Sequence, residues 1–159
     1  MRTCTSLVGI LLMALPAIAQ PMPTAGEIFE LRSKCQQLTE QLAKEKEAGL
    51  IGLNGLTVDA ISNLNIQDVR CYGTFKLEWM STDINPGKPP IQMSVVHLYD
   101  INTRELMAAT RKSGQYEDGN IFDETHELSS RAMVEKSPTE RLQITTEFIK
   151  QVMDPKRYR

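Results

Sequence analysis

Residues 69–79 read VRCYGTFKLEW, and the alternation of their side chains decides the fold. The odd positions carry Val, Cys, Gly, Phe, Leu and Trp. The even positions carry Arg70, Tyr72, Thr74, Lys76 and Glu78. Successive side chains of a β-strand point to opposite sides of the sheet, so a period of two residues is typical of a strand with one buried face. The pattern predicts a strand with Cys71 on its buried face and Tyr72 on its polar face.

A helix before this strand directs a second cysteine inward. From about Ala25 to Gly49, apolar residues recur at spacings of three and four, namely Ile28, Leu31, Cys35, Leu38 and Leu42. Such spacing places them on one stripe of an amphipathic helix. Because both cysteines are directed inward, we predict a Cys35–Cys71 disulfide between helix and strand. A bridge that closes a loop of roughly 35 residues stabilises a fold by about 3–4 kcal/mol.

The segment between helix and strand gives weaker signals. Residues 49–56 read GLIGLNGL, but no GK[ST] follows and no strand precedes them, which argues against a phosphate-binding loop. A flexible connector is the favoured interpretation, and an apolar loop that contacts a partner or a membrane surface is the alternative. After it, Thr57 is predicted to begin a short helix that ends at Leu64.

The remaining segments predict an antiparallel meander and a final helix. Strands are expected at residues 91–99 and 105–111, and a loop at 113–120. Residues 126–135 fit a fourth strand slightly better than a helix. Ser137, Pro138 and Glu140 give the signal of a helix start, and Asp154-Pro155 that of its end. The expected fold is α+β, in two layers: a long N-terminal helix packed on an antiparallel sheet of three or four strands, plus a C-terminal helix.

The first nineteen residues, MRTCTSLVGILLMALPAIA, are typical of a secretory signal peptide. Arg2 is followed by an apolar run, and small residues precede Gln20. Removing 19 of the 159 residues leaves 140, and we expect residues 20–159 to form one α+β domain in the periplasm or outside the cell. Cys4 departs with the leader, so Cys35 and Cys71 remain as a pair in an oxidising compartment.

The charge of the chain limits its partners. It carries 18 Lys and Arg and 20 Asp and Glu, a net charge of −2 that becomes −3 when the leader and its Arg2 are removed. Nucleic-acid binding needs a basic surface, so we expect no nucleic-acid partner. After the leader, no apolar stretch is long enough for a membrane span, so none is expected in the mature chain. No cofactor is expected either.

Catalytic and metal-binding motifs are weak. The sequence contains no GxSxG and no SxxK set, and we assign no catalytic residue. His97 is expected in mid-strand on the side of Met93 and Val95, as an ordinary sheet histidine. Asp123, His126 and Glu127 would share one face of a helix and are weak candidates for metal ligands. Short acidic runs are more often solvated surface, so we expect no metal site.

Arg70, Tyr72 and Lys76 are candidate interaction residues. Exposed Tyr and Arg on a sheet are typical of interface hot spots, although they also form ordinary cross-strand pairs. The predicted function is a small exported, non-enzymatic binding or accessory protein of the cell envelope, which engages another protein or a small ligand. The alternatives are a secreted hydrolase that uses carboxylates or a His126 metal site, and a self-assembling subunit.

Overall fold

The computed structural model describes residues 23–50, 52–81, 89–114, 116–122 and 135–157. The elements in these ranges are α1 (Ala25–Ala48), β1 (Asn54–Asn65), β2 (Arg70–Ser81), β3 (Ile91–Asp100), β4 (Glu105–Ser113), β5 (Tyr116–Ile121) and α2 (Pro138–Met153). The strands pair antiparallel in the order β1-β2-β3-β4-β5, which is a meander. The predicted α+β fold is confirmed, with five described strands in place of three or four. The predicted leader lies outside the described residues.

Both helices begin at capping boxes. In α1, the Thr24 hydroxyl accepts the N–H of Glu27, and the Glu27 carboxylate accepts the N–H of Thr24. Ser137 and Glu140 repeat the arrangement in α2, as the sequence signal predicts. Helix α1 ends at Gly49. No described helix combines the length and the apolarity that crossing a membrane requires.

The predicted disulfide is confirmed, and it joins α1 to β2. The Cα atoms of Cys35 and Cys71 are 5.5 Å apart, and both residues are 3% exposed. The core around them is formed by Leu42, Leu64, Phe75, Tyr99 and Ile101, among others. Gly73 permits this close packing: a Cβ there would lie 2.7 Å from Cδ1 of Ile101 and 2.9 Å from Cγ2 of Thr39.

Helix α2 packs on the other face of the sheet. Its residues Ile149 and Val152 form a second core with Tyr72, Leu98 and Ala108. Cys71 and Tyr72 are consecutive on β2 yet contact different helices, so α1 and α2 cover opposite faces. The sheet is therefore covered from both sides, where the sequence predicted two layers. The expected exposure of Tyr72 is wrong, because the residue is 7% exposed beneath α2.

Two segments are strands where the sequence predicted a helix and a loop. The predicted short helix from Thr57 to Leu64 lies within β1, which pairs with β2 from Asn54 to Asn65. The predicted loop at 113–120 contains most of β5, which pairs with β4. Both strands are edges of the described sheet and are largely exposed, so they lack the apolar alternation of β2. Most of the ambiguous segment 126–135 lies outside the described residues.

Candidate functional site

The C-terminal end of α1 forms one wall of an open cavity on its face of the sheet. The cavity, here called the cleft, has a volume of about 900 Å³. The residues that line it are Glu45, Lys46, Gly49, Leu50, Leu77, Trp79, Val95, His97, Tyr99, Ala109, Thr110, Arg111, Tyr116, Asp118, Gly119 and Asn120. They come from α1, the connector after it, and strands β2 to β5. The pairing of four strands therefore builds a site that no continuous stretch of sequence contains.

The floor of the cleft is apolar and aromatic. Leu77 on β2 lies opposite Val95 on β3, and His97 lies opposite Ala109 on β4. Trp79 follows Leu77 on the same face of β2. Trp79, Val95 and Ala109 are half-buried, so part of their apolar surface remains open to a ligand. An apolar floor with a few polar groups is typical of small-molecule sites.

His97 and Tyr99 lie side by side on β3 within the cleft. Their rings meet edge to face, with centroids 6.0 Å apart, and Nζ of Lys46 lies 5.1 Å from the centroid of Tyr99 in a cation–π contact. Burial, and secondarily the charge of Lys46, lower the pKa of His97 below 6.5. The imidazole is therefore mostly neutral at neutral pH. The register also places His97 on the face of Met93 and Val95, as predicted.

Two carboxylates, Glu45 and Asp118, line the cleft within the described part of the chain, and each pairs with an arginine from outside it. Glu45 Oε2 lies 3.0 Å from Nη1 of Arg104. Asp118 Oδ1 lies 3.1 Å from Nε of Arg141, an ion pair without hydrogen-bond alignment. The second oxygen of Asp118 accepts the hydroxyl of Tyr116 at 2.8 Å, which raises the pKa of Tyr116. The negative charge of the cleft is therefore matched by positive charge around it.

Two cations of the cleft are not matched in this way. Lys46 contacts the face of Tyr99, and Arg111 is an exposed residue of β4. In the register, Arg111 lies between Val95 on β3 and Asp118 on β5. Within the described residues, neither cation has a carboxylate oxygen within 4.0 Å. Among the described residues, neither positive charge is therefore offset by a direct ion pair.

The candidate interaction residues occupy the other face of the sheet. Arg70 is exposed, and its pKa is raised by a hydrogen bond with Tyr72 and by the charge of Asp100, whose Oδ2 lies 3.8 Å from Nη1. Tyr72 lies beneath α2. Lys76 is exposed further along β2, and its Nζ lies 3.0 Å from the carboxylate of Glu78. Their role in binding stays a prediction, and none of the three lines the cleft.

The candidate metal ligands Asp123, His126 and Glu127 lie outside the described residues. Across the ranges that are described, no three His, Cys, Asp or Glu side chains form a group that could hold a metal ion.

Sequence reasoning missed the cleft, although β3 contains a signal for it. Val95 to Tyr99 form an almost continuous apolar run, VVHLY, which is typical of a strand packed on both faces. Other elements of the fold pack on each face of such a strand. How much of each sheet face is covered depends on where the helices lie. The apolar run alone therefore does not show which part of a face stays open as a cleft.

The chain matches no protein-family profile, no curated protein and no solved structure.

Proposed function

We propose that this chain is an exported, non-enzymatic binding protein of the cell envelope or the extracellular space, and that the cleft holds a small ligand. The cleft is the observation that carries the proposal. Its volume of about 900 Å³ lies within the range of roughly 300–1,000 Å³ that is common for small-molecule sites. Its half-buried apolar floor offers surface that a ligand would remove from water, which favours binding.

The disulfide supports export. Such bridges form and persist in oxidising compartments and are rare in the cytosol. The Cys35–Cys71 bridge agrees with the signal-peptide pattern of residues 1–19, which predicts the same compartment. It also fixes α1 against β2, and the end of α1 is a wall of the cleft. The same disulfide therefore supports export and fixes the position of one wall of the cleft.

The contacts of the titratable groups favour binding over catalysis. A general base needs a partner that orients it and a position next to the group it deprotonates. The described contacts of His97 are with the ring of Tyr99 and the charge of Lys46. Glu45 and Asp118 are each in an ion pair with an arginine. The two ion pairs tie Glu45 and Asp118 to residues outside the cleft, which favours a structural role for both carboxylates.

Binding in the cleft can be tested with N-phenyl-1-naphthylamine, a neutral fluorophore that brightens in apolar surroundings. We expect a saturable rise in emission with the native protein. Ala109→Phe adds bulk to the floor and should weaken binding by about fivefold or more, because the added ring occupies the space of the ligand. Ala60→Phe adds the same bulk at an exposed position of β1 outside the cleft and should leave binding unchanged.

Thermal melts of both variants would show that they fold. A native protein that gives no saturable emission would contradict the binding proposal. Equal affinity of Ala109→Phe and the native protein would place the fluorophore somewhere else and would contradict the role of the cleft.

Export has a separate test. The full chain is expressed in a bacterial host, and the envelope fraction is analysed by N-terminal sequencing and by mass spectrometry without reduction. We expect a chain that begins at Gln20 and contains a linked Cys35–Cys71 peptide. Leu11→Arg, which interrupts the apolar run of the leader, should keep the chain in the cytosol. Native protein with its leader intact in the cytosol would contradict export.

A further inference from the structure

We infer that the ligand of the cleft is a small organic anion, a carboxylate joined to an apolar or aromatic body. The inference rests on the proposed function and adds to it the charge of the ligand. Either Lys46 or Arg111 would bind the carboxylate, and the floor formed by Leu77, Trp79 and Val95 would contact the body.

The charges of the cleft carry the inference. Two carboxylates line the cleft within the described residues, and each is in an ion pair with an arginine that does not line it. With those two pairs neutral, Lys46 and Arg111 give the described lining of the cleft a formal excess of two positive charges. His97 does not change this count at neutral pH, because burial and Lys46 lower its pKa. A cation beside a low-dielectric apolar floor attracts an anion more strongly than the same cation in open solvent does.

Lys46 and Arg111 lie beside different positions along β3. Lys46 contacts Tyr99, and Arg111 lies opposite Val95, four residues away along β3. At about 3.3 Å per residue, the positions of Val95 and Tyr99 along β3 are roughly 13 Å apart. An elongated molecule of that length can lie on the floor with its carboxylate at one cation. The planar guanidinium of Arg111 suits bidentate binding of a carboxylate, whereas the ammonium of Lys46 acts as a point charge.

The chain contains its own reporter for a test. Trp79 is its only tryptophan, and it lines the cleft. Its fluorescence can be followed during titration with 4-phenylbutyrate and with 4-phenylbutanamide, a neutral compound of nearly the same size. We expect the acid to bind about five- to tenfold more tightly than the amide at low salt. Added salt should weaken binding of the acid and leave that of the amide unchanged, because salt screens exposed charges.

Matched variants test the two cations. Lys46→Met keeps an unbranched apolar stem, and Arg111→Gln keeps a polar side chain. At least one of them should weaken binding of the acid by about fivefold with no effect on the amide. Lys112→Gln is the control, because Lys112 follows Arg111 on β4, points to the opposite face and pairs with Glu117 at 3.3 Å. It should bind the acid as the native protein does.

The outcomes separate this inference from the proposed function. If the amide binds as tightly as the acid, or the acid does not bind while the neutral fluorophore does, the inferred charge of the ligand is wrong and the cleft remains a binding site. If the acid is preferred equally by both cation variants and the native protein, the assignment to Lys46 and Arg111 is wrong. If neither compound nor the fluorophore binds, the proposed function is wrong.

Discussion

Reduction of the Cys35–Cys71 bridge should lower the free energy of unfolding by about 4 kcal/mol. The cysteines are 36 residues apart in the sequence. For a loop of that size, the chain-entropy relation gives about 13 cal/mol/K, which is about 4 kcal/mol at room temperature. The bridge stabilises the fold by lowering the conformational entropy of the unfolded chain. Reduction opens the loop and restores that entropy, so most of the stabilisation is lost. A typical domain is stable by roughly 5–15 kcal/mol, so the reduced protein should be folded but much less stable.

Urea unfolding of the oxidised and reduced protein, followed by Trp79 fluorescence, measures this difference. The two forms differ only in the sulfur–sulfur bond and two hydrogens, so the comparison isolates the cross-link. With a slope near 2 kcal/mol per molar urea, the midpoint should fall by about 2 M on reduction. The slope itself should rise, because an unfolded chain without the bridge exposes more surface. The Cys35→Ala/Cys71→Ala double variant should unfold at or below the midpoint of the reduced protein.

Equal midpoints for the oxidised and reduced protein would refute the loop-entropy reasoning, provided that mass spectrometry finds the linked peptide in the oxidised sample. Two free thiols in the unreduced protein would refute the bridge itself.

Three further predictions concern the sheet. Leu98 is 0% exposed, so Leu98→Ala should cost about 3 kcal/mol in urea unfolding, and a loss below about 1 kcal/mol would contradict its place in the second core. A Cβ at Gly119 would lie 2.9 Å from Cβ of Thr145, so Gly119→Ala should displace α2 and lower the free energy of unfolding by about 1–3 kcal/mol. Gly26→Ala is the control and should not lower it, because a Cβ at Gly26 would meet no atom within 4 Å. The pKa of His97 is lower in the folded chain than its usual value of 6.5, so the folded chain binds a proton there less readily than the unfolded chain does. The contribution of His97 to stability should therefore be fully present above about pH 7 and should be lost as the pH drops through 6.5 towards the folded pKa. Thermal melts across this range should show a smaller fall for His97→Gln, and identical curves for the two proteins would contradict the lowered pKa.

Local patterns in the sequence predicted the helices and strands whose buried residues recur at a fixed spacing. The stripe of α1 and the odd positions of β2 from Cys71 onward were identified correctly, and together they indicated the disulfide. Val69, which the alternation placed on the buried face, instead lies before β2 and is 49% exposed. The start of α2 was found because Ser137, Pro138 and Glu140 satisfy the helix terminus through contacts within one turn. Such signals can be read from a single chain because the groups that interact are close in sequence.

The edge strands and Tyr72 needed information from distant residues. β1 and β5 are strands because they hydrogen-bond to a neighbour, and their own side chains are mostly exposed. Tyr72 was expected in solvent because one buried face was assumed for β2. It is buried because α2, which begins 66 residues later in the sequence, covers the second face.

The sequence by itself determined the α+β class, both helices, the central strands and the pairing of Cys35 with Cys71. Only the tertiary structure decided that the helices lie on opposite faces and that the end of α1 leaves the cleft open. Only the structure showed that arginines outside the cleft pair with Glu45 and Asp118, and that Lys46 and Arg111 have no carboxylate within 4.0 Å among the described residues. The physical reason is that periodicity reports which side of an element is buried, whereas a site depends on which other elements cover that side.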